Sequence, residues 1–186
     1  ITGEKQNIPL IALRIKNMDE IKTSKSNAEE TLQKTITVAE ESKALIYENQ
    51  DNLFFMFVPS KTRTFKNEQT AISTAKKIQE ILNEHNKRFK QRVNYGIAIN
   101  YGTIVGKNEP SSFKFMSMGT LLSTAKKLAN ISNGEIVLGE KFNERISSEA
   151  KTEKHTEGET PFYTIKNFRD SAEHEKFIKS FMQRNN

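Results

Sequence analysis

The apolar run Ile8–Ile15 constrains this chain most. Ile8, Leu10 and Ala12 alternate with Ile11, Leu13 and Ile15, so the run is nearly continuous. A strand with one wet face would alternate between apolar and polar residues. A continuous run instead suits a central strand buried on both faces. One residue interrupts it, Arg14. A guanidinium at a buried strand position needs a partner, because a lone buried charge is costly.

The rest of the chain alternates between the two hydrophobic periods. Asn27–Ser42 has Ala28, Leu32, Thr35, Ile36 and Ala39 at helical spacing, with Glu29 and Glu30 near the positive N-terminal end. Ala44–Tyr47 and Leu53–Val58 read as strands joined by the polar turn Glu48–Asn52. Thr62–Glu68 reads as a polar connection, and Ala71–Phe89 as a long helix. Val93–Asn100 and Thr103–Val105 read as strands, Lys107–Ser112 as a loop, and Phe113–Met118 as another strand. A helix is predicted from Thr120 to Ser132, stopped by Asn133-Gly134. Then come strand Glu135–Leu138, short helix Glu140–Ile146 and strand Phe162–Ile165. Ser171–Met182 reads as an amphipathic helix with Phe177, Ile178, Phe181 and Met182 on its apolar side. The order begins β-α-β-β-α-β, the split-βαβ or ferredoxin-like plan of an α+β domain. We read one domain over residues 1–168 and a C-terminal helical extension over 169–186.

Composition excludes several functions. There is no cysteine, so thiolate metal sites, disulfides and a Cys nucleophile are out. That fits a reducing compartment, and we expect a cytoplasmic location. His85, His155 and His174 are scattered among polar neighbours without metal-ligand spacing, and read as exposed surface residues. No apolar run is long enough to cross a bilayer. The chain starts at Ile1 rather than Met, so we expect a fragment or processed chain, with room for membrane tethering through an upstream segment. The net charge of +6 raises the question of nucleic acid. The cations are spread along the chain and mixed with acids, with no aromatic-interleaved basic stripe, which favours a solvated surface.

The segment Val93–Glu140 reads VNYGIAINYGTIVGKNEPSSFKFMSMGTLLSTAKKLANISNGEIVLGE. Gly96, Gly106, Gly119, Ala125, Leu128, Gly134, Glu135 and Ile136 fall in register with G-I-x-x-G, V-G, I-G-D-x-V-N-x-A-x-R and P-G-E-I-x-V-S-E, with Gly102 two residues past the second glycine of the first motif. Upstream, Gln50-Asp51-Asn52-Leu53-Phe54-Phe55-Met56-Phe57 is similar to a G-D-x-x-M-A-x-F hairpin, and Ile11–Met18 to the preceding strand. Phe162-Tyr163-Thr164-Ile165 is similar to a last strand of the form P-V-x-V-Y. From about Ile8 to Phe168 the chain thus resembles the catalytic domain of class III adenylate/guanylate cyclases.

The resemblance implies two metal-binding aspartates and an in-line phosphoryl transfer activated by two metals. The first aspartate falls on Arg14, which repels a cation; the second falls on Asp51. An Asn and an Arg, four residues apart on one helix face, would stabilise the phosphates from across a dimer interface. Those positions hold Ser123 and Lys127. Lys127 keeps the charge without the bidentate fork. The two base-selecting positions hold Tyr47 and Thr120. Asp51, whose place in the hairpin turn also suits local hydrogen bonds, is then the one candidate metal ligand left, and Arg14 is expected to pair with it.

The leading reading is therefore a degenerate cyclase-like domain with a regulatory, dimerising or ligand-sensing role. Its expected partner is a second copy or another cyclase-like domain, with a nucleotide as the candidate ligand. Mg²⁺ or Mn²⁺ is expected only if activity is retained. The alternatives are a divergent, active cyclase acting on ATP or GTP, and a basic phosphate- or nucleic-acid-binding module. A diguanylate cyclase is disfavoured because the hairpin reads Asn49-Gln50-Asp51-Asn52-Leu53, without a G-G-D/E-E-F motif.

Overall fold

The computed structural model describes residues 3–109 and 112–169. Strand β1 (Glu4–Ile15) is followed by helices α1 (Met18–Thr23) and α2 (Ala28–Glu41). The hairpin β2 (Leu45–Asn49) and β3 (Asn52–Met56) leads through α3 (Pro59–Thr62) to the long helix α4 (Asn67–Arg88). Strands β4 (Tyr95–Glu109) and β5 (Ser112–Ser117) precede α5 (Leu121–Ile131) and β6 (Ile136–Leu138). Helix α6 (Glu140–Ile146) and strands β7 (Ala150–Glu157) and β8 (Thr160–Phe168) complete the described chain. One sheet runs β2-β3-β1-β4-β6-β8-β7, with β5 pairing β4. The first four strands stand in the order 2-3-1-4 with antiparallel neighbours, which is the ferredoxin-like arrangement expected.

The two-faced character of β1 decides the layering. Ile11, Leu13 and Ile15 point to one face, where they join Phe55, Phe57, Ile97 and Ile99 under Leu32, Ala75, Ile78 and Leu82 of α2 and α4. Ile8, Leu10 and Ala12 point to the other, with Phe54, Met56, Ala98 and Val137 under Leu121, Ala125, Leu128 and Ala129 of α5. Successive residues of a strand face opposite ways, so one apolar run feeds two cores. Each fully buried Leu, Ile or Phe contributes about 1.5–3 kcal/mol.

Gly96 of β4 lets α5 lie directly on the sheet. A Cβ there would collide with the backbone oxygens of Ala129 and Ser132. Ser132 completes the contact. Its hydroxyl accepts from Ile97 N at 3.0 Å and from Gly134 N at 3.2 Å, and donates to Glu135 O.

Four local expectations need correction. Tyr101-Gly102 does not divide two strands, because both stay on the β1 ladder opposite Pro9 and Ile8, and β4 runs unbroken. The expected loop at Lys107–Ser112 contains the ends of the paired strands β4 and β5. Strand β7 lies where the sequence pattern gives no strand. Its sequence AKTEKHTE has no apolar period because it is an edge strand, mostly exposed and held by backbone pairing to β8. His85 is buried, not a surface residue. Its Nδ1 lies 2.7 Å from Thr31 Oγ1 and its Nε2 2.8 Å from Gln91 O, and its ring packs on Phe89. Packing of α2 on α4 encloses it, which its polar sequence neighbours gave no sign of. His155 is half-buried against Phe162 and bonds Thr164 Oγ1 at 2.9 Å. His174 and the helix expected at Ser171–Met182 lie outside the described residues.

Candidate functional site

The β2–β3 hairpin and the end of β1 form the centre of the candidate site. Asn49 pairs with Asn52, so the turn is Gln50-Asp51. Gln50 sits at φ +54°, a left-handed conformation that suits glycine best. Asp51 is half-buried, and its backbone oxygen accepts from Ile15 N at 2.8 Å. That bond places Arg14 and Asn52 in the adjacent non-hydrogen-bonded pair, where facing side chains come closest.

Arg14 lies on the α5 side of the sheet, between Asn52 of β3 and Gly96 of β4. Its Nε is buried without a hydrogen-bond partner, and so is Asn52 Oδ1. The expected Arg14–Asp51 ion pair is not formed. The ion pairs among the described residues are Arg145–Glu68 and Lys166–Glu153. Asp51 sits at the turn rather than on the strand face that Arg14 shares, so the sequence neighbours Asp51 and Asn52 exchange roles beside the guanidinium.

Lys16, two residues on, explains part of the charge at this end of β1. Its Nζ donates to Asn130 O at 3.2 Å, to Ser132 O and to Asn133 Oδ1 at 3.1 Å. These carbonyls close α5, where a cation suits the negative end of the helix dipole. Sequence reading passed over Lys16 and Ser132. The available clue was that Lys16 continues the even-numbered face of β1 after Arg14.

The other predicted positions are placed as follows. Tyr47 stacks on its cross-strand partner Phe54 with ring centroids 6.0 Å apart. Thr120 is the exposed N-cap of α5 and makes no side-chain cap. Ser123 spends its hydroxyl on Thr120 O, 3.2 Å away. Ser123 and Lys127 are both exposed, on the side of α5 opposite the buried Leu121, Ala125, Leu128 and Ala129. The structure thus brings Ser123 and Lys127 together, and Arg14 with Asp51 and Asn52. Within one chain it does not bring the two groups to a common centre.

No family model matches the sequence, and no curated protein matches it either. Solved structures do. The non-canonical dimeric guanylyl cyclase domain of the RhoGC fusion protein from the aquatic fungus Blastocladiella emersonii superposes with a TM-score of 0.69 at 16% identity, over 89% of this chain and 99% of that one. A monomeric form of that domain matches as well. The guanylate cyclase domain of RhGC from Catenaria anguillulae, in complex with GTP, gives 0.68 at 15% identity, over 89% and 100%. The adenylyl cyclase CyaB from P. aeruginosa gives 0.62 at 14%, over 90% and 98%. The fold is that of class III nucleotidyl cyclase catalytic domains.

The metal pair implied by the cyclase resemblance does not fit the residues of this cyclase-like domain. Position 14 offers a guanidinium and its ladder partner Asn52 a neutral amide, Asp51 sits one residue away at the turn, and a Mg²⁺ or Mn²⁺ site needs several oxygen ligands. Among the described residues no three His, Asp or Glu side chains cluster to hold a metal. Two tyrosines of β4 show shifted proton affinity instead. Burial, with a smaller contribution from Glu135, pushes Tyr95 up to about 12; its hydroxyl donates to Asn83 Oδ1 at 2.7 Å. Tyr101 is also raised, by burial first, with Arg145 over its ring opposing and Glu68 adding. Both stay neutral at ordinary pH and serve packing.

Proposed function

We propose that this chain is a catalytically degenerate nucleotidyl cyclase-like domain with a regulatory, dimerising or ligand-sensing role. One observation carries the reading: Arg14 occupies the strand position where the resemblance expects the first metal carboxylate, beside Asp51 and against Asn52. A positive charge there opposes the binding of two cations, and Ser123 and Lys127 replace the pair that would stabilise the phosphates. The fold is retained while the reactive set is not, and folds outlast the sites they once carried. The outward-facing Ser123 and Lys127 support pairing with a second cyclase-like domain, and the fungal domain, found as a monomer and as a non-canonical dimer, supports dimerisation in general only. A nucleotide is the candidate ligand, in line with the GTP complex of the C. anguillulae domain.

The test is to incubate the pure domain with ATP or GTP and Mn²⁺ and measure cyclic product. No sustained turnover is expected. Turnover that disappears in Asp51→Ala would overturn the proposal. Sedimentation equilibrium, alone and with nucleotide, reads the dimerising and ligand-binding parts separately.

A further inference from the structure

The segment from α3 to α4 carries a second feature, far from the hairpin in sequence. Phe65 is fully exposed, at 102% of its reference area, and is the one large hydrophobic side chain exposed in this way among the described residues. The chain holds 12 phenylalanines, and the other described ones are all buried or half-buried. Lys61, Arg63 and Lys66 surround Phe65 in sequence, and no acidic residue occurs from Asn52 to Asn67. Arg63 and Lys66 are exposed. The nearest acid along the chain, Glu68, is paired with Arg145 at 3.1 Å.

The loop presents Phe65 from a fixed backbone. Arg63 takes the left-handed conformation, φ 56° and ψ 37°, and its N–H returns to Pro59 O at 2.9 Å, closing α3. On the other side Lys66 N donates to Thr64 Oγ1 at 3.1 Å, and Asn67 Nδ2 to Thr64 O at 3.2 Å, opening α4. These bonds fix the backbone on both sides of Phe65. Beside the loop lies a groove of about 760 Å³ whose charged lining is Lys66, Lys76 and Arg169 against Glu149.

We propose that this loop docks the domain onto an anionic phospholipid surface, with the Phe65 ring entering the headgroup boundary and Arg63 and Lys66 on the lipid phosphates. A single ring offers too little contiguous apolar area for a protein interface, which takes a broad patch and a desolvated centre. One ring surrounded by cations, with no unpaired acid nearby along the chain, matches a membrane interface. Each cation near such a surface is worth on the order of five-fold in partitioning, and burial of the ring on the order of ten-fold. The binding is therefore peripheral and reversible, and independent of whether nucleotide is turned over.

The chain has no tryptophan, so Phe65→Trp gives a single-tryptophan reporter. Cosedimentation with phosphatidylcholine vesicles, with and without phosphatidylserine, measures binding at low salt. Wild type is expected to bind only the anionic vesicles. Phe65→Ser should lose about ten-fold, and Arg63→Gln with Lys66→Gln about 25-fold. The Phe65→Trp emission should shift to the blue on those vesicles. Three results would each overturn the proposal: equal binding to neutral vesicles or none to either, no loss in Phe65→Ser, or a tryptophan emission that stays that of water. The substituted residues lie on the surface, and unchanged circular dichroism checks that the variants fold.

Discussion

Replacing Ser132 by alanine should destabilise the domain far more than the loss of one small hydroxyl suggests. Ser132 is fully buried at the end of α5, and its oxygen serves three backbone groups. Ile97 N–H is the most demanding, since Ile97 is fully buried in the sheet interior, opposite the first residue of β6. Leaving a buried donor unsatisfied costs about 1–3 kcal/mol. Gly134 and Glu135 are partly or fully exposed, so water can replace their bonds, and each loses about 0.5 kcal/mol. The sum is about 3 kcal/mol, or a fall in Tm of about 6–12 °C for a domain of this size. Urea unfolding followed by circular dichroism measures it. Ser123→Ala is the matched control on the same helix. Its hydroxyl is exposed and bonds only Thr120 O, so it should stay within about 0.5 kcal/mol of wild type. A Ser132→Ala variant no less stable than Ser123→Ala would refute the claim that this hydroxyl fastens α5 to the sheet.

Other outcomes follow from single observations. Gln50→Gly should stabilise the hairpin by about 0.5–1 kcal/mol, because glycine takes the positive φ without strain; unchanged or lower stability in urea would count against it. Tyr95 loses its proton more readily unfolded, at the ordinary tyrosine value of 10.0, than folded, at about 12. Its contribution is therefore fully present below pH 10 and lost as pH rises through about 12, and Tyr95→Phe should flatten that decline in an alkaline stability profile. Arg14→Asp replaces the cation opposite Asn52 by a carboxylate, one ladder pair from Asp51, and should bring Mn²⁺ binding measurable by calorimetry. A folded variant with no such gain would count against the proposal that the charge at position 14 opposes metal binding.

Much of the candidate site was legible in the sequence because its register is set by strand period. Once Ile8–Ile15 reads as a two-faced strand, Arg14 must share a face with Ala12 and Leu10, and its position opposite the hairpin follows from the βαββαβ order. The pairing partner was not legible. Asp51 and Asn52 are one residue apart, and only the turn geometry decides which of them lies on the strand face. The same holds for His85, whose neighbours in sequence are polar and whose neighbours in space are Thr31, Phe89 and Gln91.

The sequence by itself determined the βαββαβ order of the core, the central position of β1, the glycines where α5 meets the sheet, and an arginine at position 14 of an otherwise apolar strand. Each of these is a local property, readable from period, residue type or spacing. Tertiary structure decided that β4 runs unbroken through Tyr101-Gly102, that the polar segment Ala150–Glu157 is an edge strand, that Lys16 and Ser132 hold α5, and that Arg14 faces an amide. These depend on backbone ladders and buried polar bonds between residues distant in sequence. Such bonds use groups every residue carries, or hydroxyls and amides common on any surface, so they leave no periodic trace to read.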